Sequence, residues 1–295
     1  MILTRDGELY KTSPVKIGET VESLTAPYGV ANALQEIKIR NLIPLTTPQF
    51  LDLRKDCPDF NDGIWTNWYT TTSGIYNVEN KVIVVHGLKH PLTDSQRVRS
   101  AVEEGLVNYG AKLTDTEIQA FRERKIEGLR DYEEFLKETQ NKDLAEEQYG
   151  VVADASLFNG LSNDNVKLAK WVKDPRVIIL AGGQRRAEQY AEMLDKKKVE
   201  KPWISLDVKQ GLVDRGRLAF VGGSGYGDNG LGGDNFLDDY GRFLGVAAEP
   251  LSAPKIEVPS AQVPLESRVE LLHDGRVLRH EGRLYVLAEC LELKQ

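Results

Sequence analysis

Lys81-Val82-Ile83-Val84-Val85-His86-Gly87 is the stretch that decides the fold class. Four consecutive β-branched residues, with glycine closing the run, read as a short buried strand. Downstream, Thr93-x-x-Gln96 has capping-box spacing and opens a helix with Val98, Ala101, Val102 and Leu106 on its apolar stripe. Thr114-x-x-Glu117 opens the longest helical pattern, running toward Gln148 as a charged helical hairpin packed on the body or as a protruding arm. Asn163 to Lys173 reads as a helix, and Val177-Ile178-Ile179-Leu180-Ala181 as a second buried strand ended by Gly182-Gly183. A helix from Gln184 to Lys197, strands at 203–206 and 218–221, and a helix from about Asn235 to Leu244 follow. Strands alternating with helices imply a mostly parallel sheet with helices on its faces.

Upstream, Asp6-Gly7 between Leu3 and Leu9-Tyr10 is a hairpin signal. Leu42 to Leu45 reads as a strand, and Thr47-Pro48 opens a short helix, where proline suits the first turn. Residues 57–80 are turn-rich and aromatic, with strand composition at Trp68 to Thr72. At the other end, Pro250, Pro254, Pro259 and Pro264 interrupt an extended arm. Three short apolar runs between Arg268 and Leu293 then read as a β-meander, too small to be stable uncovered. The expected fold is therefore α/β: a mixed, partly parallel sheet with flanking helices, a helical insertion and a small C-terminal β-module. Four segments follow: 1–92, an N-terminal α/β part with the hairpin and aromatic strands; 93–149, the insertion; 150–249, an α/β part with a glycine-rich loop; and 250–295, the arm and meander.

Composition narrows the function classes. The 295 residues carry 38 Lys plus Arg against 45 Asp plus Glu, a net charge of −7, with 41% apolar residues. That balance makes nucleic-acid binding unlikely, because such binding rests on cations that neutralise phosphates. No apolar run approaches the length of a membrane span, and the first residues lack a signal-peptide pattern. Cys57 and Cys290 are 233 positions apart and sit in no CxxC pair, so a cysteine-based zinc or redox site is not expected. A cytoplasmic location is the expectation.

Chemistry is expected where strands end in glycine, because backbone N–H groups there approach an anion and a following helix adds its positive end. Gly182-Gly183-Gln184-Arg185-Arg186 has this form, with two arginines in the first helical turn. The loop 222–235 holds seven glycines in fourteen residues. From it Gly222, Gly223, Ser224, Tyr226, Asp228 and Asn229 are candidate ligand contacts that close over the same edge. The loop has neither dinucleotide-fingerprint spacing nor the ending of a phosphate loop. His86 closes a buried strand at that edge and is the candidate acid or base, with a hydrogen-bonded structural role as the alternative. No GxSxG or HExxH occurs, no metal site is assigned and no cofactor can be named. Two function classes remain. One is a protein that binds a small anionic ligand at the glycine-ended edges; whether it is an enzyme stays open. The other is an assembly protein that self-associates through its helices and β-module, so that removing 264–295 would lower solubility or shift the oligomeric state.

Overall fold

The computed structural model describes residues 2–3, 9–10, 18–207, 213–223, 229–247, 270–272, 277–280 and 283–286. The chain begins with β1 (Ile2–Leu3), β2 (Leu9–Tyr10), β3 (Gly18–Ser23), α1 (Gly29–Ile39), β4 (Leu42–Pro44), α2 (Thr47–Asp56), α3 (Gly63–Thr66), β5 (Tyr69–Val78) and β6 (Lys81–His86). It continues through α4 (Ser95–Glu104), β7 (Ala111–Lys112), α5 (Asp115–Arg122), β8 (Leu129–Asp131), α6 (Tyr132–Thr139), β9 (Tyr149–Asp154), β10 (Asp164–Asn165), α7 (Leu168–Trp171), α8 (Pro175–Ala181) and α9 (Gln184–Lys196). Then come β11 (Trp203–Ser205), β12 (Arg215–Val221), β13 (Leu231–Gly232), β14 (Gly241–Ala247), β15 (Glu270–Leu272), β16 (Val277–His280) and β17 (Arg283–Val286). Contacts divide the chain into two compact units, Met1–Ala248 and Glu249–Gln295. In the second unit, β15, β16 and β17 form an antiparallel meander.

The first unit holds two sheets. Nine strands form the larger, in the order β10-β11-β13-β12-β5-β6-β9-β8, with β7 also pairing to β12. Five form the smaller, in the order β2-β1-β3-β14-β4. Both are mixed. The parallel pairs are β8/β9, β11/β13 and β1/β3, and the remaining pairs are antiparallel. The expected hairpin is present as Ile2 opposite Tyr10 and Leu3 opposite Leu9; its Asp6-Gly7 turn lies outside the described residues.

The pleat of β6 explains its composition. Val82 and Val84 enter one core with α2, α8 and α9, while Ile83 and Val85 enter a second core with α1, α4 and α5. Successive side chains of a strand point to opposite faces, so a strand covered on both sides is apolar throughout. β5 divides in the same way, with Ile75 in the first core and Tyr76 in the second.

Several local expectations are corrected. Residues 177–181 are helical, not a strand: Pro175 starts α8, the Asp174 carboxylate caps it by accepting from Arg176 N, and all of Val177 to Ala181 is buried. A short apolar run buried on all sides looks alike as helix or strand, and here the Asp-Pro cap decides. Residues 235–244 form turns and then β14, which pairs with both β3 and β4. Residues 163–173 are a two-residue strand and a single helical turn. Thr93 does not cap α4; the Asp94 carboxylate does, accepting from Gln96 N. The Thr114–Glu117 capping box is real, but α5 ends at Arg122 and α6 is a separate short helix. The mixed, partly parallel sheet is present, but the mostly parallel pairing expected from alternating strands and helices gives way to mostly antiparallel pairing, with β12, β5, β6 and β9 antiparallel in turn.

Candidate functional site

The expected site residues fall into two buried clusters and one exposed helical turn. His86 is 1% exposed. Its Nε2 faces the Ile179 carbonyl at 2.9 Å, which can only accept, so Nε2 carries the proton and Nδ1 accepts from Ser73 Oγ at 2.7 Å. Ser73 Oγ in turn accepts from Thr47 N at 2.8 Å. Burial pushes the imidazole pKa down to about 3. His90 is arranged alike: Tyr76 Oη donates to Nδ1, Nε2 donates to the Thr72 carbonyl, and burial lowers the pKa to about 4. Both rings are neutral, hydrogen-bonded core groups. The Ser73–His86 pair has the polarity of a nucleophile and its base, but both residues are buried away from any substrate.

Gly182 turns the chain between α8 and α9 at φ +79°. Gly183 caps α9 and packs on Thr139. Arg186 is buried; its Nε donates to the Asp52 carboxylate at 3.1 and 3.2 Å, and Nη1 leans on the Gly182 carbonyl at 3.4 Å. That guanidinium is therefore committed within the fold. Gln184 and Arg185 remain on the outer face, reaching Glu188 and the Asn141 carbonyl.

The ends of the glycine-rich loop meet a different partner, Arg54 on α2. Its guanidinium is fully buried and makes no ion pair among the described residues. Nε donates to the Ile64 carbonyl, Nη1 to Tyr190 Oη, and Nη2 to the Asn67 and Gly222 carbonyls at 3.2 and 2.7 Å. The rings of Phe50 and Trp65 face it at 5.2 and 5.1 Å. Gly222 N bonds to the Gly230 carbonyl, Gly223 sits against the Asn67 backbone, and Asn229 is buried beside Tyr190. Ser224, Tyr226 and Asp228 lie outside the described residues. Among the described residues no three His, Cys, Asp or Glu side chains are grouped to hold a metal ion.

An exposed cluster forms elsewhere, around Tyr109. Val107 and Gly110 exchange backbone hydrogen bonds of 2.9 and 3.0 Å, closing a two-residue hairpin whose tip is Asn108-Tyr109. Both tip residues have positive φ, +46° and +62°. Such turns take left-handed residues at both central positions; asparagine tolerates this, tyrosine does so only with strain. The tip is held from below. Arg217 Nη2 donates to the Asn108 carbonyl, and Leu237 N donates to the Tyr109 carbonyl at 3.2 Å. Pairing of Ala111 with Gly216 on β12 fixes the hairpin beside Arg217.

The Tyr109 ring stacks on Phe236 with centroids 4.0 Å apart and planes 22° apart. Tyr109 is 51% exposed and Phe236 41%. Phe236 stands in the segment between β13 and β14, anchored by buried Leu237 and by Asn235, whose amide donates to Thr70 Oγ1. A groove opens on each side of the tip. One, of about 620 Å³, is lined by Pro27, Tyr28, Glu103, Leu106 and Asp238 as well as the tip. The other, of about 460 Å³, is lined by Asn163, Asp207, Arg217, Asp234 and Phe236. Asp207 accepts from Arg215 at 2.6 Å and from Arg217 at 3.4 Å, and Asp234 accepts from Ser205 Oγ at 2.6 Å. Burial and the adjacent Arg215 charge hold the Arg217 guanidinium below its ordinary range, opposed by Asp207 and Asp234.

No family model matches the chain, and no curated protein matches it. A solved structure does, one reported for the accommodation of massive sequence variation in Nanoarchaeota by the C-type lectin fold. It superposes with a TM-score of 0.62 at 20% identity, covering 79% of this chain and 99% of that one. The likeness is one of fold. In this C-type lectin-like frame the Tyr109 hairpin, Asp207 and the 233–240 segment come from distant parts of the chain and meet on one surface. Sequence reasoning missed them. Asn108-Tyr109-Gly110 between Leu106-Val107 and Ala111 carried a weak turn signal, and Phe236 was hidden inside a helix that does not form.

Proposed function

We propose that the chain is a binding module whose recognition surface is the Tyr109–Phe236 stack with its two flanking grooves. One observation carries this reading: a half-exposed tyrosine is held in a left-handed conformation and stacked on a half-exposed phenylalanine. Strained residues persist where the surroundings fix them, and they gather at ligand contacts. Large aromatics left in water on a rigid frame are the usual anchors of binding surfaces. The fold neighbour supports the same reading, since a scaffold described as accommodating massive sequence variation has surface positions free to serve recognition. The test is an array of glycans and peptides probed with the wild-type chain and with the Tyr109→Ala/Phe236→Ala variant. A ligand captured by the wild type and lost by a folded double variant is expected. Ligands retained equally by both would end this reading.

A small anion at α9 is a second reading, supported by Arg185 standing exposed in the first helical turn behind Gly183. Phosphate is expected to raise the melting temperature of the wild type but not of Arg185→Ala. No phosphate shift in the wild type ends it.

A further inference from the structure

We infer that the occupant of this surface is a cationic, extended segment of another protein, with arginine or lysine side chains entering the two grooves on either side of Tyr109. The inference rests on the recognition surface proposed above and adds the chemistry of what it takes.

Shape comes first. Asn108 and Tyr109 line both grooves, so the hairpin tip is a ridge one turn wide between two hollows of about 620 and 460 Å³. A compact ligand fits one hollow or the other. A chain crossing the ridge places side chains in both and lays its backbone over the aromatic stack.

Charge then selects the chain. Glu103 and Asp238 line the first groove with no cation among its lining residues. Asp207, Asp234 and Arg217 line the second. Arg217 is spent on the fold, with Nη1 on the Asp234 carbonyl at 3.0 Å and Nη2 on the Asn108 carbonyl. Asp207 is matched by Arg215 and Arg217. Glu103, Asp234 and Asp238 make no ion pair among the described residues. Covering these three carboxylates with an apolar or anionic ligand would strip their water without replacing it, and a neutral hydroxyl would replace the hydrogen bond but not balance the charge. A guanidinium or ammonium group satisfies them and also stacks on aromatic faces. One lining ring already takes such a contact within the chain: Arg99, which does not itself line the groove, lies over the Tyr28 ring at 5.0 Å. An aromatic centre flanked by unpaired carboxylates is also an arrangement that steers a cationic partner.

The test is fluorescence anisotropy with a labelled eight-residue peptide of alternating arginine and serine. Three chains are compared: the wild type, Glu103→Gln/Asp234→Asn/Asp238→Asn, and Glu188→Gln/Glu192→Gln/Asp195→Asn. The last carries the same net charge but changes only the α9 surface. The groove variant is expected to bind at least tenfold more weakly than the wild type, and the α9 variant within twofold. If the triple groove variant does not fold, Glu103→Gln/Asp238→Asn alone, which breaks no ion pair among the described residues, is expected to lose at least threefold. Absence of peptide binding by the wild type, or equal weakening in groove and α9 variants, overturns the inference. A neutral glycan captured on the array and lost in Tyr109→Ala/Phe236→Ala would leave the recognition surface standing while removing the cationic occupant.

Discussion

Ser73 donates its hydroxyl hydrogen to His86 Nδ1 across 2.7 Å, and both residues are sealed in the core. With Nε2 committed to the Ile179 carbonyl, the ring has no site for a second proton without losing the Ser73 bond. The folded-state pKa of about 3 lies below the ordinary 6.5. Below pH 6.5 the unfolded chain therefore binds a proton that the folded chain refuses, and stability falls as pH falls toward 3. Each such histidine contributes at most about 1.4 kcal/mol per pH unit in that window. Urea melts between pH 7 and pH 4 are expected to show a shallower pH dependence for His86→Asn than for the wild type, by up to one proton. Parallel slopes would mean that His86 is protonated in the fold.

Tyr109 holds a left-handed conformation that costs an ordinary residue roughly 1–2 kcal/mol and glycine almost nothing. Tyr109→Ala keeps that strain and removes the Phe236 stack; Tyr109→Gly removes both. The glycine variant is therefore expected to be more stable than the alanine variant by about 1 kcal/mol in urea melts, while both lose binding. Equal stabilities would show that the tip relaxes once the ring is gone.

What was legible in the sequence was local. The Thr114 cap, Pro48 in the first turn of α2, the β6 run and the N-terminal strand pair are fixed by neighbours within a few residues, and these were read correctly, whereas the Thr46 cap of α2 was not picked out. Residues 177–181 were misread because burial from all sides erases periodicity, leaving only Asp174-Pro175 to mark a helix. The Tyr109 surface was illegible for another reason. Its members span positions 27 to 238, brought together by β7 pairing with β12 and by a backbone bond from Leu237 to Tyr109. No local pattern announces such a meeting. The Gly182–Arg186 stretch showed the opposite problem: a clear local pattern for anion binding, whose second arginine is claimed by Asp52 134 positions away.

Arg54 fixes the base of the glycine-rich loop through the Gly222 and Asn67 carbonyls. Its fork reaches four acceptors at once, which a lysine ammonium at the end of a flexible stem cannot reproduce. Each acceptor left unpaired in the core costs about 1–3 kcal/mol. Arg54→Lys is expected to lower stability by about 2 kcal/mol or more. It should also speed amide exchange at Gly222 and at 64–67 ahead of α9. Uniform exchange across the chain would show that Arg54 supports the whole fold and not the loop in particular.

Gly182 faces two obstacles at once. Its φ of +79° favours glycine, and a Cβ would sit 2.2 Å from Tyr149 Oη and 2.7 Å from Pro48 Cγ. Tyr149 has little room to yield, because its ring packs on His86 at 5.0 Å. Its hydroxyl is buried near Arg186 with no partner in hydrogen-bond geometry among the described residues, so Tyr149→Phe alone is expected to change stability little. Gly182→Ala is expected to destabilise by about 2 kcal/mol or more through strain and overpacking together. Made on the Tyr149→Phe background, the same change loses the clash with Oη but keeps the backbone strain. A double-mutant cycle should therefore recover about 1 kcal/mol, within the range seen for residues in contact. A coupling near zero would assign the whole penalty to the left-handed backbone and none to the tyrosine.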